Sequence, residues 1–175
     1  MRNRGVDDEL EEFAEFYQTS RDGCLRAVYA SVGDRLLAEE LVAEAYARAW
    51  ASWRKVSRHP APPAWVVRTA LNTHVSWWRR RRREVSWESR GSTDASPPTT
   101  EAASGVDEQV LAAVRRLPLR QREVIALRVF LDLDTETTAR TLAIAPGTVT
   151  AHLSRAIAAL RDRLASSVEE ETRSR

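Results

Sequence analysis

Residues 84–105 read EVSWESRGSTDASPPTTEAASG, and no other stretch limits so strongly what the chain can become. Serine, threonine, proline and acidic residues dominate, leaving too few apolar groups to offset the entropy lost on ordering. A chain of 175 residues interrupted in this way is expected to build two small cores joined by a flexible connector, not one continuous core. The expected units are a block over 7–83, the linker over 84–105, a second block over 106–165 and a tail over 166–175.

Both blocks carry helical periodicity, so the expected fold class is all-α, with two small helical domains joined by a flexible linker. Leu10, Phe13, Ala14 and Tyr17 recur at helical spacing, as do Leu25, Val28, Tyr29 and Val32 beyond a turn-like Arg21-Asp22-Gly23. Next comes RLLAEELVAEAYARAWASWRKV, with Leu37, Leu41, Ala45, Ala49 and Trp53 on one stripe and Glu39, Glu40, Glu44 and Arg48 elsewhere on the surface. Asp34 stands where a helix cap is wanted. The segment SRHPAPPAW breaks the pattern, and a fourth helix is expected from Ala64. Two stripes compete on it: Val66, Ala70, Thr73 and Trp77 against Val67, Leu71, Val75 and Trp78. A small bundle cannot bury both, so one of the two tryptophans is expected at or near the surface.

In the second block VDEQVLAAVRRLP and LRQREVIALRVF form successive helices, with Pro118 suited to the first turn of the latter. Asp134 can cap a short helix running to about Leu142, Ala143 to Ala145 make a turn, and Pro146 and Gly147 open a longer helix. On that helix Val149, Leu153, Ile157 and Leu160 share a face, while polar Thr148, Thr150, His152 and Arg155 lie near its start. This is the pattern of a helix-turn-helix, with an ordinary helical hairpin as the alternative.

Composition excludes several classes. Hydrophobic residues make up 43% and charged residues 30%, a globular balance, and no apolar run approaches the roughly 20 residues that cross a bilayer. Arg2 and Arg4 are followed by the acids of Asp7 to Glu12, not by a signal-peptide core, so a cytoplasmic protein without membrane contact is expected. Cys24 is the sole cysteine, which rules out an intramolecular disulfide and suits a small buried hydrophobe. There is no phosphate-binding glycine loop, no glycine-flanked nucleophile and no histidine pair, since His59, His74 and His152 are scattered. The expectation is a protein that is not an enzyme, with no metal, no cofactor and no small-molecule substrate.

Charge placement says more than net charge, which is +2 with a sequence pI of about 9.1. Ser76-Trp77-Trp78 is followed by five consecutive arginines, Arg79, Arg80, Arg81, Arg82 and Arg83. Neighbouring guanidinium groups repel one another unless salt or a polyanion neutralises them, and the adjacent indoles offer stacking surfaces. Nucleic acid is the polyanion that uses both. Lys55 is the only lysine, which fits a GC-rich coding bias as well as it fits phosphate recognition.

Three segments together carry a family resemblance. LPLRQREVIALRVFLDLDTETTARTLAIAPGTVTAHLSRAIAALRDRL resembles region 4, the promoter-reading domain of bacterial sigma factors of the extracytoplasmic-function type. GDRLLAEELVAEAYARAWASW resembles their region 2 helix that docks on polymerase, and AWVVRTALNTHVSWWRRRRRE resembles the helix that meets the minus-10 element. The order of these segments and the missing middle domain also agree. The resemblance implies a transcription initiation factor whose partners are core RNA polymerase, promoter DNA and an anti-sigma factor.

By that resemblance, Asn72, Trp77, Trp78 and Arg79 to Arg83 would meet the minus-10 element, and Thr148, Thr150, His152 and Arg155 the minus-35 element. Glu40, Leu41, Glu44 and Arg48 would bind polymerase. The loop from Ser57 to Pro63 would shape a pocket for a flipped base facing Asn72, and the acidic linker would follow the RNA path. The sequence departs from the family at Glu40, where aspartate is frequent, at Ala43, where glutamine is, and at Thr150 and His152, where cations are common. Thr138 replaces a larger apolar residue, implying a loosely packed first helix of the helix-turn-helix.

Physical chemistry gives these assignments content. Extruding a base costs a few kcal/mol, aromatic stacking returns about 1–3 kcal/mol per base, and neutralised phosphates add a salt-dependent gain. A linker of about 22 flexible residues spans roughly 26 Å when relaxed and about 75 Å when stretched. Two promoter elements more than one duplex turn apart, about 34 Å, exceed the relaxed span, so a scaffold must hold the domains open. A stand-alone helix-turn-helix regulator would instead bind duplex unaided, usually as a dimer, and an adaptor that binds only protein would not touch DNA.

Overall fold

The computed structural model describes the backbone of residues 4–88 and 108–173 and the side chains of residues 7–80 and 108–165. Linker residues 89–105, the last two residues of the tail and the side chains of Arg81, Arg82 and Arg83 lie outside the described residues. The described residues form eight α-helices and one π-helical turn. The helices are α1 (Arg4–Val32), α2 (Arg35–Ala51), α3 (Trp53–Val56), α4 (Pro62–Glu88), α5 (Glu108–Arg115), α6 (Leu119–Ile125), α7 (Thr135–Leu142) and α8 (Pro146–Arg173).

Helix α1 runs unbroken through Arg21-Asp22-Gly23, where the sequence suggests a turn. Glycine inside a helix costs about 1 kcal/mol relative to alanine, which packing on both flanks outweighs here. Phe13 and Phe16 on one flank meet Tyr46, Trp50 and Trp53 of the next two helices at ring-centroid distances of 5.0–6.4 Å. Gly33, with φ +84°, reverses the chain into α2, where the Asp34 carboxylate accepts the Leu37 amide at 3.0 Å as the capping pattern requires. Leu41, Ala45 and Ala49 are fully buried along the predicted stripe.

Helix α4 starts two residues earlier than Ala64 because Pro62 and Pro63 occupy its first turn, where no amide donor is needed. It continues through Glu88, five residues into the segment read as linker. Both of its competing stripes are buried through Leu71, since Val66, Ala70 and Val67 are fully enclosed. A single two-domain chain can do this because α4 is covered on both sides. The α1/α2 pair lies on one side, and the second block approaches the other, where Arg68 donates to the Thr141 carbonyl. Past Leu71 the stripes separate: Trp77 packs half-buried against the core, while Trp78 is 51% exposed.

In the second block α6 passes into the π-helical turn at Ala126–Phe130, a widening with no sequence signal. Asp134 caps α7, accepting the Thr137 amide at 2.7 Å, and Ala143 ends it in the left-handed region at φ +54°. Thr138 is fully buried and its hydroxyl donates to the Asp134 carbonyl at 2.8 Å. The smaller residue thus satisfies its polar group locally, and the expected looseness of α7 is not found. On α8 the inward face is Val149, Leu153, Ala156 and Leu160, with Ile157 turned outward at 36% exposure, because a stripe read at i+8 drifts off the contact line.

One hydrophobic core runs through both blocks: Val28, Leu41, Val66 and Val67 belong to the same cluster as Leu111, Val124, Leu127, Leu142 and Val149. A smaller cluster of Val114, Leu117, Ile125 and Ala156 lies within the second block. No helix among the described residues is long and apolar enough to cross a membrane.

Candidate nucleic-acid and polymerase interfaces

The length of α4, Pro62–Glu88, decides what its far end can present. From Asn72 onward it projects beyond the enclosed part of the bundle, leaving Asn72, Ser76, Trp78, Arg79 and Arg80 exposed on consecutive turns. Indole, amide and guanidinium groups therefore share one projecting helix. Between this end and α2 lies a cavity of about 350 Å³ lined by Arg48, Thr69, Asn72, Thr73, Ser76, Trp77 and Arg80. Its polar rim and two guanidinium groups suit an anionic or hydrogen-bonding occupant more than an apolar one. The Ser57–Pro63 loop expected to form a base pocket does not line this cavity; the α2 side chain of Arg48 does.

On α2, Glu40, Glu44 and Arg48 follow one another at four-residue spacing, and the Glu44 carboxylate pairs with Arg48 at 2.8 Å. The other Arg48 nitrogen donates to the Thr73 hydroxyl of α4 at 2.8 Å, and that hydroxyl in turn donates to the Thr69 carbonyl at 2.9 Å. Arg48 thus turns toward Asn72 and away from Glu40. Leu41 needs a correction: it is fully buried among the core residues of α1 and α4, so it cannot offer a surface contact. The most exposed large apolar residue of α2 among the described residues is Leu36, one turn before Glu40 and 74% exposed. The sequence holds the clue in the Leu36-Leu37 pair, of which only one member can face the core of an amphipathic helix.

The helix-turn-helix places Thr148, Thr150 and Arg155 on the exposed surface at the start of α8. The exposed Thr150 hydroxyl donates to the Pro146 carbonyl at 3.2 Å. His152 is half-buried, with an Nδ1 that is enclosed and unpartnered. Of the four expected readers it is the one constrained by packing. Among the described residues no cluster of His, Cys, Asp and Glu could hold a metal ion.

Burial affects two groups that support the first domain. Burial pushes the Cys24 thiol up to about 11, with a hydrogen bond from Tyr46 at 3.5 Å opposing it. Burial also raises the Tyr46 hydroxyl far above its ordinary value, reinforced by Cys24. Both stay protonated at neutral pH, so Cys24 is an inert packing group.

Comparison with known proteins bears on the same two domains. The family model for sigma-70 region 2 matches residues 16–84, and that for sigma-70 region 4 matches residues 107–160. The RNA polymerase sigma-E factor of Streptomyces coelicolor is 33% identical over 95% of this chain and 97% of its own length. The RNA polymerase sigma-E factor of Streptomyces antibioticus is 32% identical over 95% of this chain and 96% of its own. Among solved structures, the sigma factor RpoE of Bartonella quintana, in complex with the anti-sigma factor NepR, superposes with a TM-score of 0.71 at 23% identity. That match covers 88% of this chain and 97% of the Bartonella chain. With both conserved regions present in order and relatives matched end to end, the chain belongs to the sigma-70 family as a sigma factor of the extracytoplasmic-function type.

Proposed function

We propose that this sigma factor carries core RNA polymerase to its promoters by dividing the work between two faces. The outward side of α2, with Leu36, Glu40 and Glu44, meets polymerase. The projecting end of α4, with Asn72, Trp78, Arg79 and Arg80, takes the opened minus-10 strand, and the start of α8, with Thr148, Thr150, His152 and Arg155, reads the minus-35 element. Trp77 and Arg48 support the α4 face from the cavity behind it.

The observation that carries this reading is the co-occurrence of an exposed Trp78 with exposed Arg79 and Arg80 on a helix inside the region 2 match. An indole face that stacks on an unpaired base and cations that neutralise its phosphates supply the two terms strand opening requires. A stand-alone regulator is not favoured, because region 4 alone would serve it and the chain carries region 2 as well. The chemistry is binding and not catalysis, and the place of action is the cytoplasm, where polymerase works. An anti-sigma factor is a partner of the same kind that the Bartonella relative was solved with.

Run-off transcription with purified core polymerase and fragmented genomic DNA tests the proposal. Discrete transcripts that need both this chain and core enzyme are expected. Tight, site-selective binding of intact duplex by the chain alone, unaffected by polymerase, would refute it.

A further inference from the structure

A second cavity, of about 270 Å³, lies where α1 turns back into α2. Asp22, Arg26 and Tyr29 follow one another on α1 at spacings of four and three, so their side chains leave one face of the helix. The reversal at Gly33, whose amide donates to the Tyr29 carbonyl at 2.8 Å, then lays Arg35 and Glu39 of α2 against that face. Arg21 and Leu25 complete the wall. None of these residues has a part in the polymerase or promoter contacts proposed above.

Most of the polar groups here answer one another. Arg21 pairs with Asp22 at 3.3 Å, and Arg35 pairs with Glu39 at 3.2 Å. Two donors are left over. Among the described residues Arg26 makes no ion pair or hydrogen bond, and the Tyr29 hydroxyl makes no hydrogen bond. Tyr29 is only 7% exposed, and its hydroxyl is not among the fully enclosed unpartnered atoms, so the access it keeps is through the cavity it lines. A buried phenol ordinarily finds a partner in the protein; this one faces an open space instead.

We propose that this cavity is a binding site for a small phosphate ester, held by its phosphate on Arg26 and the Tyr29 hydroxyl, with its organic part against Leu25 and the Tyr29 ring. Both open groups are donors, so the ligand must supply acceptors. Three guanidinium groups face two carboxylates, which leaves an excess of positive charge for an anion. The planar guanidinium fork matches phosphate oxygens. The two ion pairs are exposed and cost little to loosen, so a phosphate can also draw Arg21 or Arg35 to a further oxygen. The volume falls just under the roughly 300–1,000 Å³ typical of pockets for drug-sized ligands, which keeps the organic part small. A nucleic-acid backbone suits the site less well. The preceding turns of α1 carry Asp7, Asp8, Glu9, Glu11, Glu12 and Glu15, which repel a polyanion following the helix but not a compact ligand that ends at the cavity.

The test titrates the full-length chain with phenyl phosphate, inorganic phosphate and benzoate, read by calorimetry and by the NMR signal of the Arg26 Nε–H. Saturable binding of phenyl phosphate is expected, roughly threefold tighter than inorganic phosphate through the apolar contact and roughly tenfold tighter than benzoate. Arg26→Ala and Tyr29→Phe are each expected to weaken it roughly tenfold. Tyr29→Phe should leave the melting temperature within about 2 °C, because the hydroxyl it removes bonds to nothing in the protein. Absence of saturable binding overturns the proposal. Binding that both variants retain places the anion on the arginines at the end of α4 and also overturns it. Benzoate bound as tightly as phenyl phosphate overturns the phosphate class, and displacement by a single-stranded oligonucleotide at a lower phosphate concentration makes nucleic acid the occupant instead.

Discussion

Arg48 of α2 donates to the hydroxyl of Thr73 on α4 at 2.8 Å while its second nitrogen pairs with Glu44 at 2.8 Å. One side chain therefore links the helix assigned to polymerase with the helix assigned to the opened strand. A shift of α2 on binding polymerase would reach the cavity beside Asn72 through this link. Arg48→Ala is expected to lower stability by about 1 kcal/mol, the net worth of a hydrogen bond to a charged group that is half in solvent. Polymerase co-purification should be kept while permanganate-detected strand opening falls several-fold. Equal opening would show that the link transmits nothing.

The two tryptophans should separate cleanly. Trp78 is 51% exposed and Trp77 is packed against the core. Trp78→Ala is expected to leave thermal stability within about 0.5 kcal/mol, yet reduce open-complex formation roughly 10-fold or more through the lost stacking of about 1–3 kcal/mol. Trp77→Ala should lower stability by about 2–3 kcal/mol by leaving a cavity. Melting curves paired with open-complex assays distinguish the two.

On α2, Glu40→Lys is expected to leave the melting temperature nearly unchanged and weaken polymerase binding at least 10-fold. Leu41→Asp is expected to unfold the domain, since it buries a carboxylate with no partner at a fully enclosed position. A folded Leu41→Asp variant that fails to bind polymerase would restore Leu41 to the interface.

The fate of Leu41 shows what a sequence can specify. Periodicity located α2, its cap at Asp34, and the helix-turn-helix with its cap at Asp134, because these depend on near neighbours along the chain. It also identified the stripe holding Leu41, but a stripe marks the core, and only the three-dimensional surface shows that Leu36 is the large apolar residue of α2 left most exposed. Gly23 read as a turn because its cost is local while its compensation, the approach of Leu131, comes from over a hundred residues away. The docking of the second domain on α4 left the same trace, in two buried stripes where one was expected. The π-helical turn at Ala126–Phe130 has no pattern of its own in the sequence. The exposed tryptophan was legible as one of two, and the length of α4 chose Trp78.

Alkaline pH should destabilise the first domain through Cys24. The folded protein holds the thiol proton up to about 11, whereas an unfolded thiol releases it near 9.0. The folded state therefore binds more protons than the unfolded state between these values, so stability is complete below pH 9 and declines as pH rises toward 11. Tyr46, also raised by burial, acts in the same direction. Cys24→Ala should flatten the pH dependence of urea midpoints above pH 9, and thiol reagents should label the parent slowly until denaturant is added. Rapid labelling of the native chain at neutral pH would contradict the burial.

Arg155 offers the clearest probe of the second domain. It is exposed on the third turn of α8, beyond Thr148 and Thr150 and next to the buried Ala156, which faces into the core. A guanidinium in that position reaches base edges and discriminates them by about 1–3 kcal/mol when it pairs in a fork. Arg155 is the one arginine in the first three turns of α8, so it carries the cationic contact at the start of this helix. Arg155→Ala is expected to reduce preference for the native upstream element over a scrambled one roughly 10-fold, while initiation from promoters with a strong minus-10 element persists. The measurement is competitive run-off transcription on templates differing only in the upstream element, repeated at two salt concentrations. Loss of activity on both templates by the same factor, with a shallower salt dependence, would mean that Arg155 holds a phosphate and reads no base.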